Sequence, residues 1–197
     1  MRNYNYREML INSTISVIAN EGLDKTTTKA IVAGTDISES YIYRFFADKE
    51  DLLAKTFDVL DNELVSEAMA HISIMYIEKM EYEARCWMFY SFMWRFVLSN
   101  REKCLAFIRY YYSPYFQKYS AKEHKKRYTP LVAKFEDAFK PEANTWMLLN
   151  HVLNVMLDFA IKVYNGDVAN DDDTAEHVFR LVYNSIKPYF KEKERAV

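Results

Sequence analysis

Leucine and phenylalanine recur at three- and four-residue steps after Asp48, at Leu52, Leu53, Phe57, Leu60 and Leu64. That period covers one face of an α-helix and predicts an amphipathic helix starting at Asp48 and reaching as far as Met75. A second stretch, 82–98, is apolar on nearly every side, as a central, buried helix would be. A third, 101–112, stops at Ser113-Pro114, because the residue before a proline resists the α conformation. The charged segment 120–127 reads as a mobile loop or solvated face ahead of a helix through Leu131, Phe135 and Phe139. After Pro141 comes the most apolar helix, 146–164, then an acidic loop, 165–173. The last helix, 174–190, carries Val178, Val182 and Ile186 on one stripe. With only 3 Gly and 4 Pro, and no proline before Pro114, the chain has few of the turns that hairpins need. The expected fold is all-α, with about nine helices.

The N-terminal pattern is shorter in period and more informative. Thr27 and Thr28 are placed to cap a helix through Lys29, Ala30, Ile31, Val32 and Ala33, their hydroxyls accepting its unpaired first amides. Gly34, Thr35 and Asp36 stop it, Ile37 anchors the corner, and Ser38 caps a second helix through Glu39, Ser40, Tyr41, Ile42 and Tyr43. Two short helices around a tight joint form a helix-turn-helix pattern. Ile31, Ile37 and Ile42 are its natural inner contacts. Ser38, Glu39, Ser40, Tyr41 and Arg44 fall on or near the free face of the second helix, where base edges can be met. Asp48 reads as the next N-cap, with Lys49 in the first turn beside free amides, a position suited to a phosphate.

At these residues the chain resembles the TetR family of bacterial transcriptional repressors. Thr28, Ile31, Ser38, Tyr43, Phe46, Lys49, Glu50 and Leu52 stand at the family's spacing, and Ile11, Thr14, Ile18, Glu21 and Gly22 fit its first helix and closing glycine. Asp36 stands where a turn glycine is usual, Val32 where an alanine is, and Ser40 is the small residue before the recognition positions. Asp tolerates a positive φ better than most residues, so the turn is expected to survive. Beyond the head, the chain matches the family only in being helical and of the right length. The resemblance implies a DNA-binding domain over 1–48 and a ligand-binding and dimerisation domain over 49–197. It also implies a homodimer on a pseudo-palindromic, double-stranded DNA operator, released by a small-molecule effector. Ser38, Glu39, Ser40 and Tyr41 would face the major groove, and Thr27, Thr28, Lys29, Tyr43, Arg44 and Lys49 would hold phosphates.

Charge tempers this picture. The net charge is −2 and the pI about 6.1. In the head, Arg2, Arg7, Lys25, Lys29, Arg44 and Lys49 are outnumbered by acids that include Glu8, Glu21, Asp24, Asp36, Glu39, Glu50 and Asp51. A basic surface is the usual footprint of a DNA binder, so affinity must come from a few placed residues. The basic run Lys122, Lys125, Lys126, Arg127 is better explained as a solvated surface than as a nucleic-acid patch.

The aromatic content, 16 Tyr and 13 Phe, exceeds what a plain bundle needs. Phe92, Phe107, Tyr111 and Trp146, with Arg85, Arg95, Arg109 and Asn150, are the candidate lining of a pocket for an apolar or aromatic effector, including an anionic one. Asn150, Asn154, Asp158 and Lys162 recur every four residues on the apolar 146–164 helix and face either water or such a pocket. Val152, Met156 and Phe159, with Val178, Val182 and Ile186, are the candidate dimer contacts of the last two helices.

No catalytic apparatus is visible. Asp171, Asp172, Asp173 and Glu176 form a DDxxE-like string, better explained by capping and the helix dipole than by a metal-dependent enzyme. His71, His124, His151 and His177 are scattered, so no metal or other cofactor is expected. Cys86 and Cys104 read as buried structural thiols, and with no signal peptide or long apolar run the chain is expected in the cytoplasm, away from membranes. A helical protein-interaction module that has lost DNA binding is the main alternative.

Overall fold

The computed structural model describes residues 6–191, and among these the chain is helical, with one isolated bridge and no strand. The helices are α1 (Tyr6–Glu21), α2 (Thr28–Val32), α3 (Glu39–Ile42), α4 (Lys49–His71), α5 (Tyr82–Ser99), α6 (Arg101–Tyr111), α7 (Ala121–Ala133), α8 (Thr145–Asn165) and α9 (Asp172–Ile186). Short 3-10 or π turns link several of them.

Packing divides the chain into two compact units. The first holds 6–63 and Arg101–Lys125, and the second holds Leu64–Asn100 and 126–191. The sequence division at 48/49 follows the helix-turn-helix motif, whereas these units follow packing, so α4 and α7 each contribute residues to both.

In the first unit, α1 packs more extensively on α6 than any other two elements do on each other. Leu10, Ile11, Ile18, Ile31, Ile42, Leu52 and Leu53 are buried beneath it. Phe57 of α4 anchors a second cluster, with its ring 4.8 Å from Tyr110, 5.1 Å from Phe107 and 5.5 Å from Phe116. Two buried polar links run through this cluster. Tyr110 Oη lies 3.0 Å from Ser120 Oγ, and His124 Nδ1 lies 2.9 Å from Asp61 Oδ1. Of the two expectations for the 120–127 segment, a mobile loop or a solvated face, the second holds: His124 of α7 points inward to Asp61 while Lys122, Lys125 and Lys126 face water. α7 ends before Phe135, and Phe139 instead forms the bridge to Phe190.

In the second unit, α5 packs on both α8 and α9. Asn144 caps α8 by accepting from Met147 N at 3.0 Å, and Gly166 closes it at φ 79°. Asp171 accepts from Thr174 N at 2.8 Å, which holds its carboxyl below the usual range. The acidic string is thus largely a helix start, and its Glu176 is engaged by Arg180 at 2.8 Å. α8 is long and apolar enough to cross a membrane, but it is built into the body through α5 and α9. Only 22% of its most apolar window is buried within the chain.

Asp61 is fully buried, so replacing it removes the carboxylate that holds His124 Nδ1 in the core. Asp61→Ala is expected to lower the unfolding free energy by about 3 kcal/mol, read from urea denaturation.

Candidate nucleic-acid interface

Of the caps expected in the helix-turn-helix, Thr27 makes its bond, whereas Ser38 stands at the N-cap of α3 without a side-chain cap hydrogen bond and the Thr28 hydroxyl goes to Glu39. Thr27 Oγ1 accepts from Ala30 N at 3.1 Å and starts α2. Ser13 of α1 hydrogen-bonds the Ile31 carbonyl, fixing α2 to α1. Thr35 Oγ1 donates to Val32 O at 2.8 Å and accepts from Ile37 N at 3.2 Å, which shapes the turn. The left-handed residue there is Gly34, at φ 80°, and no non-glycine residue among those described has a positive φ. The tolerance expected of Asp36 is therefore not used: the turn places its one left-handed residue two positions earlier.

Ile31, Ile37 and Ile42 are buried, so the opposite face is fixed. On it Thr27, Lys29, Ser38, Glu39, Ser40, Tyr43 and Arg44 are exposed, while Thr28, Tyr41 and Lys49 are half-buried. Several of these side chains are engaged with each other. Thr28 Oγ1 donates to Glu39 Oε2 at 2.6 Å, and Ser38 and Ser40 hydroxyls lie 3.0 Å apart. Tyr41 packs edge-on to Tyr6 at 5.2 Å and against Phe45 at 5.6 Å, with the Arg44 guanidinium 4.4 Å above its ring. Tyr43, at 58% exposure, stands free of that cluster and Phe45 is partly exposed at its edge. Tyr6 and Phe45 were not among the expected site residues. The i, i+4 spacing of Tyr41 and Phe45 was the available signal for the second; nothing local signals the first.

Lys49 is positioned by a reciprocal cap. Asp51 N donates to Asp48 Oδ1 at 2.7 Å, and Ala47 N donates to Asp51 Oδ2 at 3.0 Å. An exposed surface of hydroxyls, phenols and cations at the start of α4 can donate hydrogen bonds to an anionic backbone.

The other expected site residues are spread through the chain. Trp146 and Asn150 line a cavity of the second unit, with Val152, Met156, Val182 and Ile186. Arg85 does not reach it: its guanidinium donates to Met80 O at 2.6 Å and Met75 O at 3.1 Å. Arg95 is exposed, donates to Ser91 O and lies over Phe92, which stacks on His71. Phe107, Arg109 and Tyr111 belong to the first unit, where Arg109 binds carbonyls of α1. Met156, Val178, Val182 and Ile186 are buried within the protomer itself, and Phe159 is half-buried. Of the polar line, Asn150 touches the cavity, while Asp158 pairs with Lys162 at the surface.

A helix-turn-helix head joined to an all-helical body is the architecture of a DNA-binding transcriptional regulator. Residues 10–56 match the family described as bacterial regulatory proteins, tetR family. Solved structures extend the likeness over the whole chain. A TetR family transcription regulator from Marinobacter aquaeolei VT8 is 15% identical with a TM-score of 0.75, covering 91% of this chain and 94% of its own. A TetR family transcription regulator from Shewanella sp. PV-4 is 13% identical with a TM-score of 0.75, covering 94% and 98%. The fatty acid degradation regulator FadR from Bacillus halodurans is 17% identical with a TM-score of 0.65, covering 89% and 96%. No curated protein matches the chain significantly in sequence. The head, over residues 10–56, matches the tetR family in sequence, and along nearly its whole length the chain has the fold of solved TetR-family regulators.

The Asp48 cap fixes the start of α4 and with it Lys49. Asp48→Ala is expected to cost about 1 kcal/mol of stability, read as a lowered midpoint in thermal unfolding.

Proposed function

We propose that this protein is a homodimeric repressor that binds a pseudo-palindromic operator and releases it when a small molecule enters the second unit. The observation that carries this reading is the pairing, in one chain, of the family's helix-turn-helix head with a body that contains an apolar cavity. In this reading Ser38, Glu39, Ser40 and Tyr41 meet base edges. Thr27, Thr28, Lys29, Tyr43, Arg44 and Lys49 meet phosphates, which set register while base contacts set sequence choice. The alternative of an interaction module without DNA binding is disfavoured by the exposure of these side chains around a correctly formed turn.

α4 supports a route for the signal. It starts at the cap behind α3, and its later turns bring Leu64 and Ala68 to the cavity wall. A ligand that favours one placement of those turns shifts the population of DNA-binding heads by its differential affinity for the two states. In this reading the fatty acid degradation regulator and the multidrug binding protein among the structural neighbours are precedents for the fold, not for the ligand.

Dimerisation is assigned to the outer faces of α8 and α9, which keep Phe159 of the expected contacts but not the buried Met156, Val178, Val182 and Ile186. Met147 and Leu181 are each 58% exposed, Val155 and Phe159 are half-buried, and His151 joins the two helices through Ser185 Oγ at 2.9 Å. An apolar helix left so largely uncovered needs a partner, and a second copy supplies one with closed symmetry.

Fluorescence anisotropy on the promoter fragment beside the protein's own gene tests the DNA roles. Lys49→Ala is expected to weaken binding to all sequences and lower the salt slope by about 1, whereas Ser40→Ala reorders the affinities of operator variants. Unchanged affinity in both would refute the assignment of this face. Leu181→Glu is expected to raise the dimer dissociation constant by at least about tenfold in sedimentation equilibrium, because it buries an unpaired carboxylate. An unaltered dimer would place the interface elsewhere.

A further inference from the structure

The cavity carries a statement about the chemistry of its ligand, which rests on the effector reading only for what binding does to DNA. Its volume is about 140 Å³. A void of about 150 Å³ in another protein accepts one benzene ring, which sets the scale of the occupant. Among the described residues, none that lines it carries a charge. The two arginines of α5 are committed elsewhere, Arg85 to the Met80 and Met75 carbonyls and Arg95 to Ser91 O. Asn150 also lines the cavity, but its amide already donates to Trp146 O at 3.0 Å.

Tyr90 differs from Asn150. It is 4% exposed, and its ring is fixed between Trp87 at 6.3 Å and Trp94 at 6.1 Å, with Phe179 at 5.5 Å. Its phenolic oxygen is buried and makes no hydrogen bond within the protein. Native interiors rarely keep such a group unpartnered, because it has lost its water without a replacement. Burial also pushes its pKa above the ordinary tyrosine value, so it remains a neutral donor.

The geometry points to an effector that is a neutral, apolar molecule of about one ring's size, bearing a single hydroxyl or carbonyl oxygen that hydrogen-bonds Tyr90 Oη. A carboxylate or an ammonium entering this cavity would leave water with no opposite charge to meet it. The anionic ligand that Arg85, Arg95 and Arg109 suggested in the sequence is thereby replaced by a neutral one. The hydrogen bond sets orientation, while Phe135, Phe139, Leu153 and Met156 supply apolar contact.

Isothermal titration calorimetry on the full-length protein without DNA tests this with four probes of nearly equal size: benzyl alcohol, toluene, benzoate and benzylamine. Benzyl alcohol and toluene should bind, with benzoate and benzylamine at least about tenfold weaker than benzyl alcohol. Tyr90→Phe keeps the ring and removes only the hydroxyl. It should weaken benzyl alcohol by about five- to tenfold, leave toluene unchanged, and melt no lower than the unsubstituted protein. The inference is overturned if the charged probes bind as tightly as benzyl alcohol. It is equally overturned if neither neutral probe binds, or if Tyr90→Phe affects both neutral probes alike. The two readings fail separately. Benzyl alcohol that binds through Tyr90 without weakening operator binding removes the effector role and leaves the site's chemistry standing, whereas operator release by benzoate with no binding of benzyl alcohol removes the chemistry and leaves the effector role.

Discussion

The first unit depends on one arginine. Arg109 of α6 donates to Ile18 O at 2.6 Å, which also accepts from Gly22 N at 3.1 Å, and to Ala19 O at 3.0 Å, where the last turn of α1 runs out of amide partners. A guanidinium there supplies both the hydrogen bonds and the positive charge that a helix C-terminus favours. α1 closes through Gly22 at φ 94°, and a Cβ at that position would lie 4.0 Å from Arg109 Nη1 in a backbone conformation that side chains rarely adopt. Nearby, Asn20 Nδ2 donates to Glu102 Oε1 at 2.9 Å. α1 is therefore bolted to α6 at its end as well as along its side. Since Ser13 of α1 in turn holds α2, the placement of the helix-turn-helix traces back to a residue ninety positions further along the chain.

That linkage shows why the head was legible from the sequence and its boundary was not. The caps at Thr27 and Asp48 and the inner contacts at Ile31, Ile37 and Ile42 lie within a few residues of what they hold. Local spacing encodes them. Arg109 and the Asp61–His124 pair act across the chain, and nothing near either residue in sequence announces the partner. The 120–127 segment read as a loop or solvated face for this reason: its inward residues, Ser120 and His124, stand beside lysines, and their partners Tyr110 and Asp61 are 10 and 63 residues away.

The same limit governs the body. The stripe Val178, Val182, Ile186 is real, yet a stripe does not say what covers it, and here the protomer covers it with its own core. The arginines of the aromatic helices suggested an anion site because composition shows charge without showing its use. In the structure Arg85 and Arg109 satisfy carbonyls near helix ends, which is what a half-buried guanidinium with five donors does most readily. What remains around the cavity among the described residues is neutral, so its apolar character is legible in the aromatic richness of α5 and α8, while the neutrality of that lining is not.

The weak point of the sequence reading, an acidic head, becomes more specific in the structure. Several exposed groups of the proposed DNA face already hold one another: Thr28 holds Glu39, Ser38 holds Ser40, and Arg44 lies on the Tyr41 ring. Contact with DNA then exchanges these internal bonds for external ones, and each exchange contributes little net free energy. Glu39, once Thr28 turns to a phosphate, is a carboxylate facing an anionic groove unless it finds a cytosine amino group. A wrong base therefore leaves a charge unsatisfied, a larger penalty than the loss of a neutral hydrogen bond. With little diffuse attraction to offset that penalty, the face is suited to rejecting wrong sites more than to holding any single one. In the proposed dimer, affinity for the right site would come from two heads acting together, and head spacing would be the quantity that a ligand in the body controls.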